Sequence, residues 1–263
     1  MKKRECRLVL YGFDFGRPAR NIWMMSELSI DFELINDALP FDVSRLNPND
    51  RVPFLHDKKT GLNMFESLAI NVWIVQNYKD LMTTSYKSEL VPRNVHEMGI
   101  FLKWSFWAMT ELDMLLFEGL MHNPNSSHII SRKRNYEGYF DREKTTKRGD
   151  RILRELEFPL NVLENELKRT KWLGGDHFTV TDLNVASVAY WIHFQGRERR
   201  DRILRNLPHT KDWLDRCMKR PHSPLSVLSK SSVGKWNWDV LQEGASKRSS
   251  RAGEVSFTAA SKL

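Results

Sequence analysis

Val52-Pro53-Phe54-Leu55-His56-Asp57-Lys58-Lys59-Thr60-Gly61-Leu62-Asn63-Met64-Phe65-Glu66-Ser67 carries the clearest architectural signal in the chain. Phe54-Leu55-His56 and Leu62 to Phe65 are short strand-like runs, and the polar Lys58 to Gly61 between them suits a turn. From Ser67 to Tyr78 the period changes: Ile70, Trp73, Ile74 and Asn77 recur three or four apart, which predicts a helix. Upstream, Arg7 to Tyr11 is a mostly apolar strand broken by Gly12. Pro18 to Leu28 is helical, with Ile22, Met25 and Leu28 on one stripe and Pro18 suited to a first turn. Phe32-Glu33-Leu34-Ile35 alternates as a second strand. A strand-helix-strand unit within one sheet requires a right-handed crossover, and the later hairpin extends that sheet antiparallel.

Beyond a polar linker at Lys79 to Pro92, the pattern is helical almost throughout. Val95 to Leu120 is long and aromatic-rich, with Phe101, Trp104, Trp107, Leu112 and Leu115 spaced for a buried stripe. Arg151 to Leu167 repeats the habit through Leu153, Leu156, Leu160, Leu163 and Leu167, and Pro159 is expected to kink it. Thr179-Val180-Thr181-Asp182 reads as a capping box opening another helix. Asp212 to Met218 forms a last amphipathic turn or two before Pro221. From about Ser229 onward, Ser, Lys, Arg, Gly and Ala dominate, a composition expected to be disordered.

Composition narrows the function classes. The 263 residues are 41% hydrophobic and 11% aromatic, enough for a sizeable core. No apolar run approaches the roughly 18 residues of a membrane span, and no signal-peptide pattern follows Met1-Lys2-Lys3-Arg4. Cys6 and Cys217 are the two cysteines, which excludes a disulfide framework and any Cys-x-x-Cys site. His96, His122 and His128 lack metal-ligand spacing, so no metal is expected. The formal net charge is +8. Part of it is local, at Arg132 to Arg151 and at Arg197, Arg199, Arg200, Arg202 and Arg205, which read as solvated faces. Tyr136, Tyr139 and Phe140 near the first cluster do not form the aromatic sheet of a single-strand RNA reader, so nucleic acid is not an expected partner.

Four segments in order carry a resemblance. Asn47-Pro48 with Val52-Pro53-Phe54-Leu55, Glu66-Ser67 after Met64-Phe65, Leu173-Gly174-Gly175-Asp176-His177-Phe178-Thr179 through Asp182, and Trp213-Leu214 with Arg220-Pro221 resemble glutathione S-transferases over roughly residues 7 to 224. The flavour is that of the bacterial or theta/phi-like branch, since Leu10-Tyr11-Gly12 leads into Arg17-Pro18-Ala19-Arg20. The resemblance implies an α+β/α fold: a thioredoxin-like N-terminal domain over residues 7–80, ordered β-α-β-α-β-β-α, then an all-α helical-bundle domain over residues 92–228 and a tail over residues 229–263. It implies glutathione as co-substrate, with Pro53 in cis, the Val52 backbone on the cysteinyl part, and Glu66 and Ser67 on the γ-glutamyl carboxylate. Arg17 and Arg51 are candidate carboxylate partners. A homodimer is expected, through the helix after Glu66 and the Val95–Leu120 helix.

The family's chemistry is thiolate activation by a hydroxyl at the first helix start, a serine in theta- and phi-like members. Aligned through Pro18 and Arg20, that position is Gly16, which offers neither hydroxyl nor thiol. Three substitutes stand open: Tyr11 at the strand end, Arg17 at the helix start, and the backbone N–H groups of Gly16 to Ala19. A small apolar electrophile would sit between the domains, with Trp104, Phe106, Trp107 and Met109 as candidate walls. The resemblance therefore implies a glutathione transferase acting in detoxification. The alternatives are a catalytically silent glutathione or ligand binder, motivated by Gly16, and a basic interaction module for acidic partners. Ser261-Lys262-Leu263 reads as a peroxisomal address in a eukaryote; otherwise the chain is expected in the cytoplasm.

Overall fold

The computed structural model describes residues 6–14, 16–35, 47–49, 51–78, 89–121 and 142–226. Four strands, β1 (Leu8–Tyr11), β2 (Phe32–Ile35), β3 (Phe54–Asp57) and β4 (Leu62–Phe65), form one sheet in the order β2-β1-β3-β4. β1 runs parallel to β2 and antiparallel to β3, and β3 pairs antiparallel with β4. Helix α1 (Arg17–Glu27) links β1 to β2, and α2 (Ser67–Tyr78) follows β4. The helix that the resemblance implies between β2 and β3 would fall at residues 36–46, which lie outside the described residues. At Gly12 an added Cβ would stand 2.6 Å from Pro18 Cβ, so glycine lets the first turn of α1 close onto the end of β1.

The β3–β4 turn is organised by one carboxylate. Asp57, fully buried, accepts from Arg7 Nε (2.8 Å) and Nη2 (2.6 Å), the Lys59 amide (3.0 Å) and Thr60 Oγ1 (2.8 Å). The Arg7 hydrogen bonds hold its carboxyl well below the usual carboxylate range. Strand β3 therefore runs one residue beyond the expected His56.

The helical part comprises α3 (Val95–Trp107), a π-helical segment (Ala108–Asp113), α4 (Met114–Met121), α5 (Arg142–Glu155), α6 (Glu157–Leu167), α7 (Val180–Ala189), a 3₁₀ turn (Tyr190–Phe194), α8 (Arg197–Leu204) and α9 (Pro208–Met218). The wider π turn shifts the buried face. Phe101, Trp104, Ala108, Leu112, Leu116 and Leu120 are the core residues, whereas the expected Trp107 and Leu115 are half-buried. The break between α5 and α6 falls at Leu156, ahead of Pro159 in the first turn of α6, because a proline ring clashes with the carbonyl four residues back. Helix α9 starts at Pro208, a turn earlier than its sequence pattern suggests. The capping box stands: Thr179 Oγ1 accepts from the Thr181 amide (3.2 Å), and Asp182 accepts from the Thr179 amide (3.1 Å). Asp182 also accepts from the Leu173 amide (2.8 Å) and Trp213 Nε1 (2.9 Å), tying α7 to the preceding loop and to α9.

Every residue of α7 is buried, as a helix at the centre of a bundle must be. Its Leu183 and Val185 belong to the same apolar cluster as Trp23 and Met25 of α1 and Phe101 of α3, so one core runs from the sheet side into the bundle. Arg220 caps that junction by pairing with Glu27 and lying 3.9 Å over the Phe178 ring. The arginines of α8 are met locally, Arg199 by the Gly119 carbonyl and Arg202 by Asp150. The basic stretch through residue 141, most of the Lys79–Pro92 linker and the tail lie outside the described residues.

Candidate functional site

The register of the sheet brings three segments to one end. Tyr11 pairs with Phe54, and Phe54 with Phe65, so the ends of β1 and β4 and the start of β3 form one row. The loop to α1, the Val52–Pro53 peptide and the Glu66–Ser67 step each adjoin that row. Two strand spacings, about 10 Å, span it, which suits an extended ligand of a few residues.

On the β4 side a loop, a proline peptide and a helix start come together. Val52–Pro53 is cis, as the resemblance implies. Asn47, buried, donates from Nδ2 to the Arg51 carbonyl (2.6 Å) and accepts the Asn49 amide (2.9 Å), which fixes the loop before that peptide. Arg51 itself is exposed and Val52 half-buried. Glu66 is exposed at φ 70°, a left-handed conformation costly for a side-chain-bearing residue. Its carbonyl accepts the Ile70 amide (3.0 Å), so α2 begins at Ser67 with its first N–H groups free of intrahelical partners. Ser67 is 2% exposed, and its Oγ has no hydrogen-bond partner among the described residues. Its carbonyl is held by Asn21 Nδ2 (2.8 Å), and Asn21 continues through Asn71 and Asn184 to Ser105 in a buried chain of side-chain hydrogen bonds. A positioned, unpartnered hydroxyl at a helix N-terminus is equipped to receive a carboxylate.

On the β1 side the helix start is organised from the bundle. Tyr11 is half-buried, with its ring against Phe54 at 5.8 Å. Gly16 sits at φ 73°, ψ −147°, a region essentially restricted to glycine. Its amide donates to Tyr190 Oη (3.1 Å), and its carbonyl accepts the Ala19 amide (3.2 Å). Pro18 has no N–H, so of the Gly16–Ala19 amides only that of Arg17 lacks a partner among the described residues. Tyr190 is wholly buried, and burial pushes its phenol above the ordinary value, so it stays protonated while its oxygen accepts the Gly16 amide.

The Arg17 guanidinium is drawn to the bundle: Nη2 lies 2.6 Å and Nε 3.2 Å from Asp113 Oδ2, and the group lies 6.0 Å over the Phe117 ring. Arg20 donates from Nη2 to Asp113 Oδ1 (3.0 Å) and from Nη1 to the Met109 sulfur. Burial pushes the Arg20 guanidinium below its ordinary value. Burial pushes the Asp113 carboxyl up, but Arg20 and Arg17 outweigh it and leave it below the ordinary value. Asp113 occupies the last position of the π segment, a feature frequent at functional positions.

Of the side chains expected to wall an electrophile site, Met109 meets Arg20 of α1 through its sulfur and Phe106 is exposed. Trp104 is buried in the core, and Trp107 packs edge-on against it at 5.1 Å. The residues that face the start of α1 are Asp113, Met114, Phe117 and Tyr190, one to three turns further along or on another helix. Sequence reasoning missed them. An acid inside Leu112-Asp113-Met114-Leu115 and a tyrosine closing a fully buried helix were the available signals. Among the described residues no three His, Cys, Asp or Glu side chains are placed to hold a metal ion, and no helix is long and apolar enough to cross a membrane.

Residues 123–221 match the family described as Glutathione S-transferase, C-terminal domain. The glutathione S-transferase-like protein tpcF of Aspergillus fumigatus is 25% identical over 232 residues, covering 81% of this chain and 92% of that protein. Glutathione S-transferase F14 of Arabidopsis thaliana is 26% identical over 230 residues, covering 84% of this chain and 83% of its own. Among solved structures, Ure2p5 from Phanerochaete chrysosporium, cocrystallized with 1-(S-glutathionyl)-2,4-dinitrobenzene, superposes with a TM-score of 0.69 at 19% identity, covering 87% of this chain and 96% of that one.

Proposed function

We infer from its similarity to glutathione S-transferases that the chain is a member of that family, binds glutathione along the row of strand ends and conjugates it to a small apolar electrophile. The observation that carries this reading is the buried, unpartnered Ser67 Oγ at the start of α2, beside the cis Val52–Pro53 peptide. Ser67 and the α2 amides take the γ-glutamyl carboxylate, the Val52 backbone takes the cysteinyl unit, and Glu66 and Arg51 flank the peptide. The sulfur then lies toward Tyr11 and Arg17. Once the thiol has given its proton to water, the thiolate attacks the electrophilic carbon. A carbon–sulfur bond forms, and the displaced group leaves with its bonding electron pair. Met114 and Phe117 supply apolar surface for the electrophile, with half-buried Trp107 further along.

Titration calorimetry with glutathione tests the reading. The wild type binds, and Ser67→Ala weakens binding about tenfold or more, the usual worth of one hydrogen bond to a charged group. Absence of binding by the wild type refutes it. A dinitrohalobenzene assay then separates an enzyme from a catalytically silent binder, the second reading, which the glycine-only conformation of Gly16 favours. We also propose a homodimer through α2 and the α3–α4 rod, where Val95 and Phe106 are exposed. Light scattering at about twice the 31.0 kDa chain mass supports it, and the monomer mass refutes it. In a eukaryotic cell, Ser261-Lys262-Leu263 is proposed to direct peroxisomal import. Loss of punctate localisation when the tripeptide is removed from a fluorescent fusion checks this.

A further inference from the structure

With glycine at position 16, and the Gly16 amide already committed to Tyr190 Oη (3.1 Å), thiolate stabilisation must come from other groups, either Tyr11 at the end of β1 or those at the start of α1. Arg17 and Arg20, three apart on one helix face, converge on the two oxygens of a single carboxylate, Asp113. One carboxylate cannot balance two guanidinium groups, so the trio keeps one net positive charge. Arg20 and Asp113 are almost closed from solvent, at 2% and 3% side-chain exposure, while Arg17 is 39% exposed and within reach of a ligand. The positive end of the α1 dipole and the free Arg17 amide stand at the same place.

We propose that this arginine pair sharing one aspartate, together with the Arg17 main-chain N–H, stabilises the glutathione thiolate here in place of a side-chain hydroxyl. The inference rests on the glutathione reading above. The chemistry is a single ionisation: the thiol S–H bond breaks, its proton passes to water, and the sulfur keeps the electron pair beside a cation that stays protonated throughout. Arg17 is the group that meets the sulfur; Arg20 and Asp113 act through it, Arg20 by adding its charge and Asp113 by offsetting part of the charge of the pair. The other ionisable groups near this point are Tyr190, kept protonated by burial, the half-buried Tyr11 at the end of β1, which is the competing donor, and the half-buried Asp14 on the preceding loop.

The test titrates the thiol of bound glutathione by thiolate absorbance, with affinity measured separately by calorimetry. Arg17→Met is expected to raise the apparent thiol pKa by about one unit, a tenfold loss of thiolate at fixed pH. Arg17→Lys, which keeps the charge, recovers most of it. Asp113→Asn is expected to move the thiol pKa the opposite way, downward, because it removes the carboxylate the two arginines share; a purely structural role would not lower it. Arg169→Met, a charge-matched change at an exposed ion pair, leaves the value in place. An unchanged thiol pKa in Arg17→Met with glutathione affinity retained overturns the inference alone. No calorimetric binding by the wild type overturns the glutathione reading itself. If Asp113→Asn does not fold, the Arg17→Met and Arg17→Lys pair decides.

Discussion

Replacing Gly16 tests whether conformation, rather than loss of a hydroxyl alone, defines the start of α1. At φ 73°, ψ −147° a side-chain-bearing residue is strained, and among the described residues the nearest atom to an added Cβ is Pro18 Cδ at 3.9 Å, so no clash with them contributes. The cost is therefore backbone strain, about 1–3 kcal/mol. It is offset by about 0.4–1 kcal/mol because alanine or serine restricts the unfolded chain more than glycine does. The net expectation for Gly16→Ala and Gly16→Ser is a destabilisation of about 1–2 kcal/mol. In urea unfolding with a slope of about 3 kcal/mol/M, the midpoint falls by about half a molar. Gly99→Ala supplies the control: Gly99 is exposed within α3, nothing lies within 4 Å of its added Cβ, and the same change should stabilise. The reasoning fails if Gly16→Ser unfolds at the wild-type midpoint or above it. It fails equally if that variant gains thiol reactivity without losing stability, because the glycine conformation would then not be what keeps a hydroxyl out.

Acid unfolding should report on Asp57. Its folded pKa is depressed, so its contribution is present above the ordinary carboxylate value near pH 4 and is lost as pH falls toward the folded pKa. Asp57→Asn is expected to cost about 2 kcal/mol at neutral pH and to flatten the fall of Tm below about pH 4; an equally steep fall in both proteins would argue against it. The π segment makes Leu116 a core residue and Leu115 a flanking one. Leu116→Ala should cost about 2–5 kcal/mol in chemical unfolding and Leu115→Ala clearly less, and a reversed order would contradict the register. Asp182→Ala removes an acceptor shared by Thr179, Leu173 and Trp213 and is expected to cost about 3 kcal/mol or more. A loss below about 1 kcal/mol would show that Asp182 merely caps a helix.

The part of the candidate site around the cis peptide and the start of α2 was legible in the chain because its parts are local. A strand, a turn, a second strand and a helix follow one another from Phe54 to Tyr78, and each is specified by residues within a few positions of itself. The capping box at Thr179 and Asp182 was readable for the same reason, since its partners are three residues apart. Periodicity placed the long helix but missed its π segment. One residue per turn more or less cannot be seen in an apolar pattern as dense as Phe101 to Leu120, and so Leu115 stood where Leu116 belongs.

Sequence by itself determined the order of elements, the Pro53 and Glu66–Ser67 positions, and the vacancy of a hydroxyl at Gly16. Tertiary structure alone decided what surrounds that glycine. Tyr190 lies 174 positions from Gly16, and Asp113 lies 96 from Arg17 and 93 from Arg20. Nothing local in either segment encodes those meetings. They arise because the fully buried α7 and the π-widened rod dock against α1 through one apolar core, and hydrophobic packing carries no record in sequence of which distant polar groups it will bring together.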